Sequence, residues 1–163
     1  MSLNEVILEE AFGAKTCTYH LKIDDKILFS TIKSSGIIVA TGSGSTGLLM
    51  SARRTRMSEL KHLIGKSQES LLNELKDMQE RLRFEGSDTQ FYYFNRELYL
   101  NNQQSIQYAK NSFEDFCQMQ EGYCNKLTID NLNLDGNILI DSNQKLKLEY
   151  GDVIDISIGN YLK

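Results

Sequence analysis

Proline and tryptophan are both missing from this 163-residue chain. Average usage of about 5% would give roughly eight prolines, so a proline-rich linker or polyproline recognition segment is excluded. Cysteine is scarce, at Cys17, Cys117 and Cys124. An odd count without C-x-x-C spacing excludes a disulfide framework and a zinc ribbon. It leaves buried or free thiols and a reducing compartment. The only histidines, His20 and His62, share no metal-ligand spacing, so no metal site is expected. No stretch nears the ~18 apolar residues of a membrane span, which argues against a membrane partner. Positive charge is not in excess: 18 Lys and Arg face 22 Asp and Glu, a net −4. That excludes a nucleic-acid reader built on a basic face. Glu5, Glu9 and Glu10 near the start fit neither a secretory signal nor a transit peptide. The expectation is an intracellular protein, cytoplasmic or mitochondrial. Met1-Ser2 directly ahead of strand-like sequence suggests a piece of something longer.

What is present is ordinary for a globular chain: 40% hydrophobic and 25% charged residues, in a length that suits one domain. Residues 3–10 read as a strand. Over 16–24, Cys17, Tyr19, Leu21 and Ile23 alternate with Thr18, His20 and Lys22, the period of a half-buried strand. Asp24-Asp25-Lys26 is a turn, Ile27–Ile32 the hairpin partner, and Lys33-Ser34-Ser35-Gly36 a second turn. Ile37-Ile38-Val39-Ala40 is a continuously apolar strand, buried on both faces. Met57, Leu60, Ile64, Leu71, Leu75, Met78 and Leu82 then recur at three- and four-residue steps. Helices are expected over about 46–64 and 67–83. Their apolar stripe suits either core or a subunit contact. Phe91-Tyr92-Tyr93-Phe94 is strand-prone, and 101–111 reads as a polar loop. Strands follow at 113–119, 122–130, 133–140, 144–149 and 152–158, punctuated by Asn131, Asp135-Gly136, Ser142-Asn143 and Gly151-Asp152. The fold class is α+β: mainly antiparallel β-sheet with an inserted helical pair over about 46–83.

Gly42-Ser43-Gly44-Ser45-Thr46-Gly47 is a literal G-x-G-x-x-G between a strand and a helix. Glycines let a ligand approach the backbone, and free amides at a helix start bind anions. A serine- and glycine-rich connector that only turns the chain is an equal reading. A dinucleotide fingerprint needs a parallel βαβ unit of about 30 residues, which the antiparallel meander does not provide. A phosphate loop of the NTPase kind needs Gly-Lys-Ser/Thr, and Gly47 is followed by Leu48.

The order of motifs resembles the NAD kinases. Leu3-Asn4-Glu5-Val6, the meander, Lys33-Ser34-Ser35-Gly36, an apolar strand and Thr41-Gly42-Ser43-Gly44-Ser45 look closest to their mitochondrial-type branch. Asn95-Arg96-Glu97-Leu98 resembles the branch's I-R-E-P, and Asp135-Gly136 a late Asp-Gly. The likeness is good over the first 54 residues, generic in the helical insert and loose beyond it. It implies the C-terminal, β-rich, NAD-binding domain of an enzyme that phosphorylates the adenosine-ribose 2′-hydroxyl of NAD to give NADP. The family's catalytic N-terminal domain carries Gly-Gly-Asp-Gly-Thr, a string absent from these residues. ATP and Mg2+ are expected only with that missing kinase domain, and the fragment alone is expected to be nearly inactive.

By the same resemblance, Asn4 and Glu5 sit where the family contacts ribose and base. Thr41, Ser43, Gly44, Ser45 and Thr46 sit where it lines the NAD cleft. No catalytic residue and no metal ligand is assigned. A homodimer or higher oligomer is implied. Ser35 and Gly42 follow the mitochondrial branch, Thr46 follows the common one, and Leu48 replaces an aromatic found in both. The alternative is a non-catalytic nucleotide-binding or regulatory module of the same superfamily. Outside the resemblance, Arg53, Arg54 and Arg56 form either a solvated helix face or a phosphate contact. Phe91–Phe94 suits a strand core better than base stacking. Asp135 either opens a turn or meets a ligand.

Overall fold

The structure is a computed structural model, and it describes residues 2, 4–12, 15–41, 46–53, 90–96 and 120–159. The chain divides into two compact units. One comprises Met1–Ser45 with Gly86–Lys163, and the other Thr46–Glu85.

In the first unit, alternation decides the strands. β1 (Glu5–Glu10) sends Val6 and Leu8 to one face and Ile7 to the other. β2 (Cys17–Ile23) buries Cys17, Tyr19, Leu21 and Ile23, while Thr18, His20 and Lys22 are half-buried. β3 (Lys26–Ser34) returns beside it. β4 (Gly36–Ala40) is buried at every position, as a continuous apolar run should be. β5 (Phe91–Arg96) buries Phe91 through Asn95. β6 (Glu121–Cys124), β7 (Lys126–Asn131), β8 (Gly136–Ile140), β9 (Gln144–Leu148) and β10 (Val153–Ser157) complete the described strands.

These strands form two antiparallel sheets. One has the order β6-β5-β4-β1-β8-β9, the other β10-β7-β2-β3. Leu8, Ile37, Val39, Tyr93 and Ile138 of the first join Tyr19, Leu21, Leu127 and Ile129 of the second in one apolar cluster. Each such buried aliphatic side chain contributes about 1.5–3 kcal/mol over leaving it in water. The core therefore lies between the sheets, and it fixes which strand ends can meet.

Two expectations change. Residues 122–130 are not one strand. Asn125 breaks them, with β6 in the six-stranded sheet and β7 in the four-stranded one. The break is held by Asp24 Oδ1, which accepts the amides of Asn125 and Lys126, both at 2.9 Å. Ser34-Ser35-Gly36 is likewise a corner between sheets, with only Ser35 outside the strands. Gly36 has φ +131°, and a Cβ there would lie 2.4 Å from the Leu8 carbonyl oxygen.

A buried asparagine pair ties the far end of the second sheet. Asn131 Nδ2 donates to the carbonyls of Glu149 (2.7 Å) and Asn133 (3.1 Å). Asn133 Nδ2 donates to Asn131 Oδ1, and the Thr18 amide donates to Asn133 Oδ1, both at 2.7 Å.

In the second unit, α1 (Thr46–Arg53) is the described helix, with Leu49 buried and Leu48 exposed. The remainder of the expected pair, over 54–83, lies outside the described residues. So do the expected loop at 101–111 and the strand at 113–119. Among the described residues no helix is long and apolar enough to cross a membrane.

Candidate functional site

β1 begins where three pieces of chain meet. Asn4 is exposed just ahead of the strand, and Glu5, its first residue, is 8% exposed. On one side lies β4. Glu5 pairs with Ala40. The next residue, Thr41, donates its amide to the Asn4 carbonyl at 2.9 Å and its hydroxyl to the same oxygen at 3.4 Å. On the other side lies β8. Val6 pairs with Ile140, and Asp141 then opens the turn into β9.

That turn grips the start of β1 from both main chain and side chain. The Asp141 amide donates to the Glu5 carbonyl at 2.9 Å. Asp141 Oδ1 accepts from the amides of Asn4 (2.8 Å) and Glu5 (3.1 Å) and from Ser2 Oγ (2.7 Å). Ser142 Oγ donates to Glu5 Oε1 at 2.9 Å. Asp141 and Ser142 have φ of 49° and 58°. The Asn143 amide reaches the Ile140 carbonyl at 3.1 Å, closing a turn of the primed type.

Chemically, this is a short polar shelf at the end of a hydrophobic sheet. Glu5 offers carboxylate lone pairs, and its Oε2 has no partner among the described residues. Asn4 offers a carboxamide that both donates and accepts. Such a pair is suited to vicinal hydroxyls and the polar edge of a heterocycle. Thr41 leads directly into the glycine-rich segment.

The polar shelf and the segment that follows it coincide with a family signature. Residues 3–56 match the model of the ATP-NAD kinase C-terminal domain family. The chain is 39% identical over 51 residues to an NAD kinase of Chlorobium phaeobacteroides (strain BS1), covering 31% of this chain and 18% of that protein. Two solved structures share the fold. An NAD kinase from Archaeoglobus fulgidus in complex with ATP gives a TM-score of 0.55 at 14% identity, over 96% of this chain and 45% of that one. A yeast NADH kinase complexed with NADH gives 0.56 at 13% identity, over 95% and 34%. Over residues 3–56 the chain is similar to the C-terminal domain of NAD kinases. It spans less than half the length of each of these relatives.

Within the matched residues, the structure brings Asn4, Glu5 and Thr41 together. Ser43, Gly44 and Ser45 lie outside the described residues. Thr46 is the first residue of α1, and its side chain is not described. Of the arginines, Arg53 ends α1, while Arg54 and Arg56 lie outside the described residues. Leu48, where the family has an aromatic ring, is 40% exposed.

The other sequence candidates resolve as structure. Phe91 to Phe94 are buried in β5, as core. Tyr92 stacks edge-on to Tyr123 at 5.0 Å and donates to Glu121. Asn95 accepts the Tyr19 hydroxyl in the core, so this part of the motif joins the sheets. Asp135 ends the connection from β7, directly before the first residue of β8. Its carbonyl accepts the Ala11 amide at 2.8 Å and its carboxylate lies 3.6 Å from Lys147 Nζ. The length of β8 separates it from Asp141 by about 20 Å at ~3.3 Å per residue. Cys17 and Cys124 are buried free thiols, both pushed up to about 12 by burial. Among the described residues, no cluster of three or more His, Cys, Asp and Glu could hold a metal ion.

Sequence reasoning missed Asp141 and Ser142. Ser142-Asn143 was legible only as turn chemistry. Nothing local says that the turn lies beside a strand start more than 130 positions earlier.

Proposed function

We propose that this chain is the NAD-binding C-terminal domain of an NAD kinase, which transfers the γ-phosphoryl group of ATP to the adenosine-ribose 2′-hydroxyl of NAD. Ser35 and Gly42 favour the mitochondrial-type branch. The observation that carries the reading is the convergence of Asn4, Glu5 and Thr41 at one end of the six-stranded sheet. Glu5 and Asn4 hydrogen-bond the ribose diol and the base. By the resemblance, Thr41, Ser43, Gly44, Ser45 and Thr46 are the further residues assigned to the dinucleotide. In the transfer, the 2′-oxygen forms a bond to phosphorus and the bond to the ADP oxygen breaks. The hydroxyl proton goes to the aspartate of the family's Gly-Gly-Asp-Gly-Thr segment. Phosphoryl transfer is mostly positioning and charge stabilisation. Without the residues that hold ATP and Mg2+, these 163 residues bind without turnover.

Calorimetric titration with NAD, NADP, ADP and ATP tests the proposal. NAD and NADP should bind, and NAD with ATP and Mg2+ should yield only trace NADP. Binding of another nucleotide without NAD or NADP would overturn the reading in favour of a regulatory nucleotide module. Turnover at an ordinary kinase rate would overturn the assignment of catalysis to a separate domain. Sedimentation of the chain, expected as a dimer or larger, tests the implied assembly.

A further inference from the structure

We propose that the Asp141–Ser142 turn is the positioning element of the Asn4–Glu5 pair: Asp141 fixes the pair's backbone, and Ser142 fixes the carboxylate of Glu5. The inference rests on the proposed dinucleotide-binding role of that pair.

One carboxylate oxygen, Asp141 Oδ1, gathers the amides of both residues and Ser2 Oγ. Hydrogen bonds to a charged acceptor are roughly twice as strong as neutral ones. Asn4 precedes the β1–β4 and β1–β8 ladders, which begin at Glu5 and Val6. Its orientation therefore depends on Asp141 and on the Thr41 contacts. Glu5 has a long side chain whose rotamers must be ordered before it can meet a ligand. Ser142 Oγ orders it in advance by donating to Oε1, which leaves Oε2 for a ribose hydroxyl. Preorganisation of this kind raises affinity by removing an ordering cost from binding. A hairpin needs neither of these side-chain contacts in order to close. The two-residue primed turn requires left-handed backbone at both residues, φ 49° and 58°, and that conformation brings both side chains to the pair.

The test combines an unliganded measurement with a binding cycle on the full 163-residue chain. Without ligand, amide hydrogen exchange at Asn4 and Glu5 should accelerate in Asp141→Ala and stay slow in Asp141→Asn, which keeps an acceptor and tolerates the backbone. With NAD as the probe, Ser142→Ala should weaken binding about 3- to 10-fold, the span of one hydrogen bond of ordinary net strength. Its melting temperature should stay near that of the wild type. On a Glu5→Ala background, Ser142→Ala should cause no further loss. A merely structural serine would give the same loss on both backgrounds, and that result overturns the inference. So does unchanged exchange in Asp141→Ala, or unchanged NAD affinity in Ser142→Ala. Failure of the wild-type chain to bind NAD is a different outcome, which removes the dinucleotide reading itself.

Discussion

Cys17 and Cys124 show how burial dominates the chemistry of a single residue. Both thiols are fully buried and carry a pKa pushed up to about 12 by desolvation. Asn133 Nδ2, 3.2 Å from Cys17 Sγ, opposes that rise without reversing it. Little thiolate exists at pH 8, and the thiolate is the reactive form. Alkylation at pH 8 followed by peptide mass mapping should leave both unmodified until urea is added. The same rise makes stability pH-dependent. Above pH 9 the unfolded thiols lose protons that the folded ones keep, so the unfolded state binds fewer protons and stability falls. The contribution is fully present below about pH 9 and is lost as pH rises toward 12. Its slope approaches about 1.4 kcal/mol per pH unit for each thiol as an upper bound. Tyr19 and Tyr93, also raised by burial, add the same sign at higher pH. Urea midpoints should therefore fall between pH 8 and 11, and a flat profile would contradict the burial of these groups. Burial at these positions was legible in the sequence, because Cys17 and Tyr19 sit on the apolar phase of an alternating run. The position of Asp141 was not, because its partners are more than 130 residues away.

At the scale of elements, the strands were legible where they alternate or run apolar throughout. β2 and β7 alternate, and β4 is apolar throughout. What alternation cannot mark is a change of sheet. The apolar phase slips between Cys124 and Leu127, but a slip does not say that the chain changes sheet; Asp24, in the turn between β2 and β3, holds the break at Asn125. Gly36 performs the equivalent change between β3 and β4. Its positive φ and the Leu8 carbonyl 2.4 Å from a would-be Cβ leave no space for any side chain. Gly36→Ala should cost at least about 2 kcal/mol, combining left-handed backbone strain with a backbone clash. Gly151 has φ +90° but open space around it, so Gly151→Ala should cost about 1 kcal/mol. Urea unfolding of the two variants separates clash from conformation, and equal losses would refute the distinction. Asn131→Ala should be as severe as Gly36→Ala. It strands the buried Asn133 amide and removes the part-buried bond to the Glu149 carbonyl, and a buried unpaired group costs about 1–3 kcal/mol.

The whole molecule carries a net charge of −4, and under the proposed function that charge bears on which nucleotide it prefers. NAD joins two phosphates to a cationic nicotinamide, so its net charge is small. ATP near neutral pH carries several uncompensated negative charges. The described polar shelf at β1 is itself anionic, with Glu5 and Asp141 hydrogen-bonded to serine hydroxyls and main-chain amides. A site of this kind suits hydroxyls and disfavours a polyphosphate, since exposed like charges repel until salt screens them over about 10 Å at 0.1 M. The chain should therefore bind NAD more tightly than ATP, with the gap narrowing as salt rises from 0.02 to ~0.5 M, where the Debye length falls well below 10 Å. NAD affinity itself should change little over the same range. Titrations at those salt concentrations check both parts. A preference for ATP at low salt would show that the cationic residues of this chain, and not those of a separate domain, form the phosphate site. Under the proposed function, adding a polypeptide that carries the Gly-Gly-Asp-Gly-Thr segment should give NADP only when ATP and Mg2+ are both supplied. The positive charge that phosphoryl transfer demands would in that case enter with the added polypeptide and the metal.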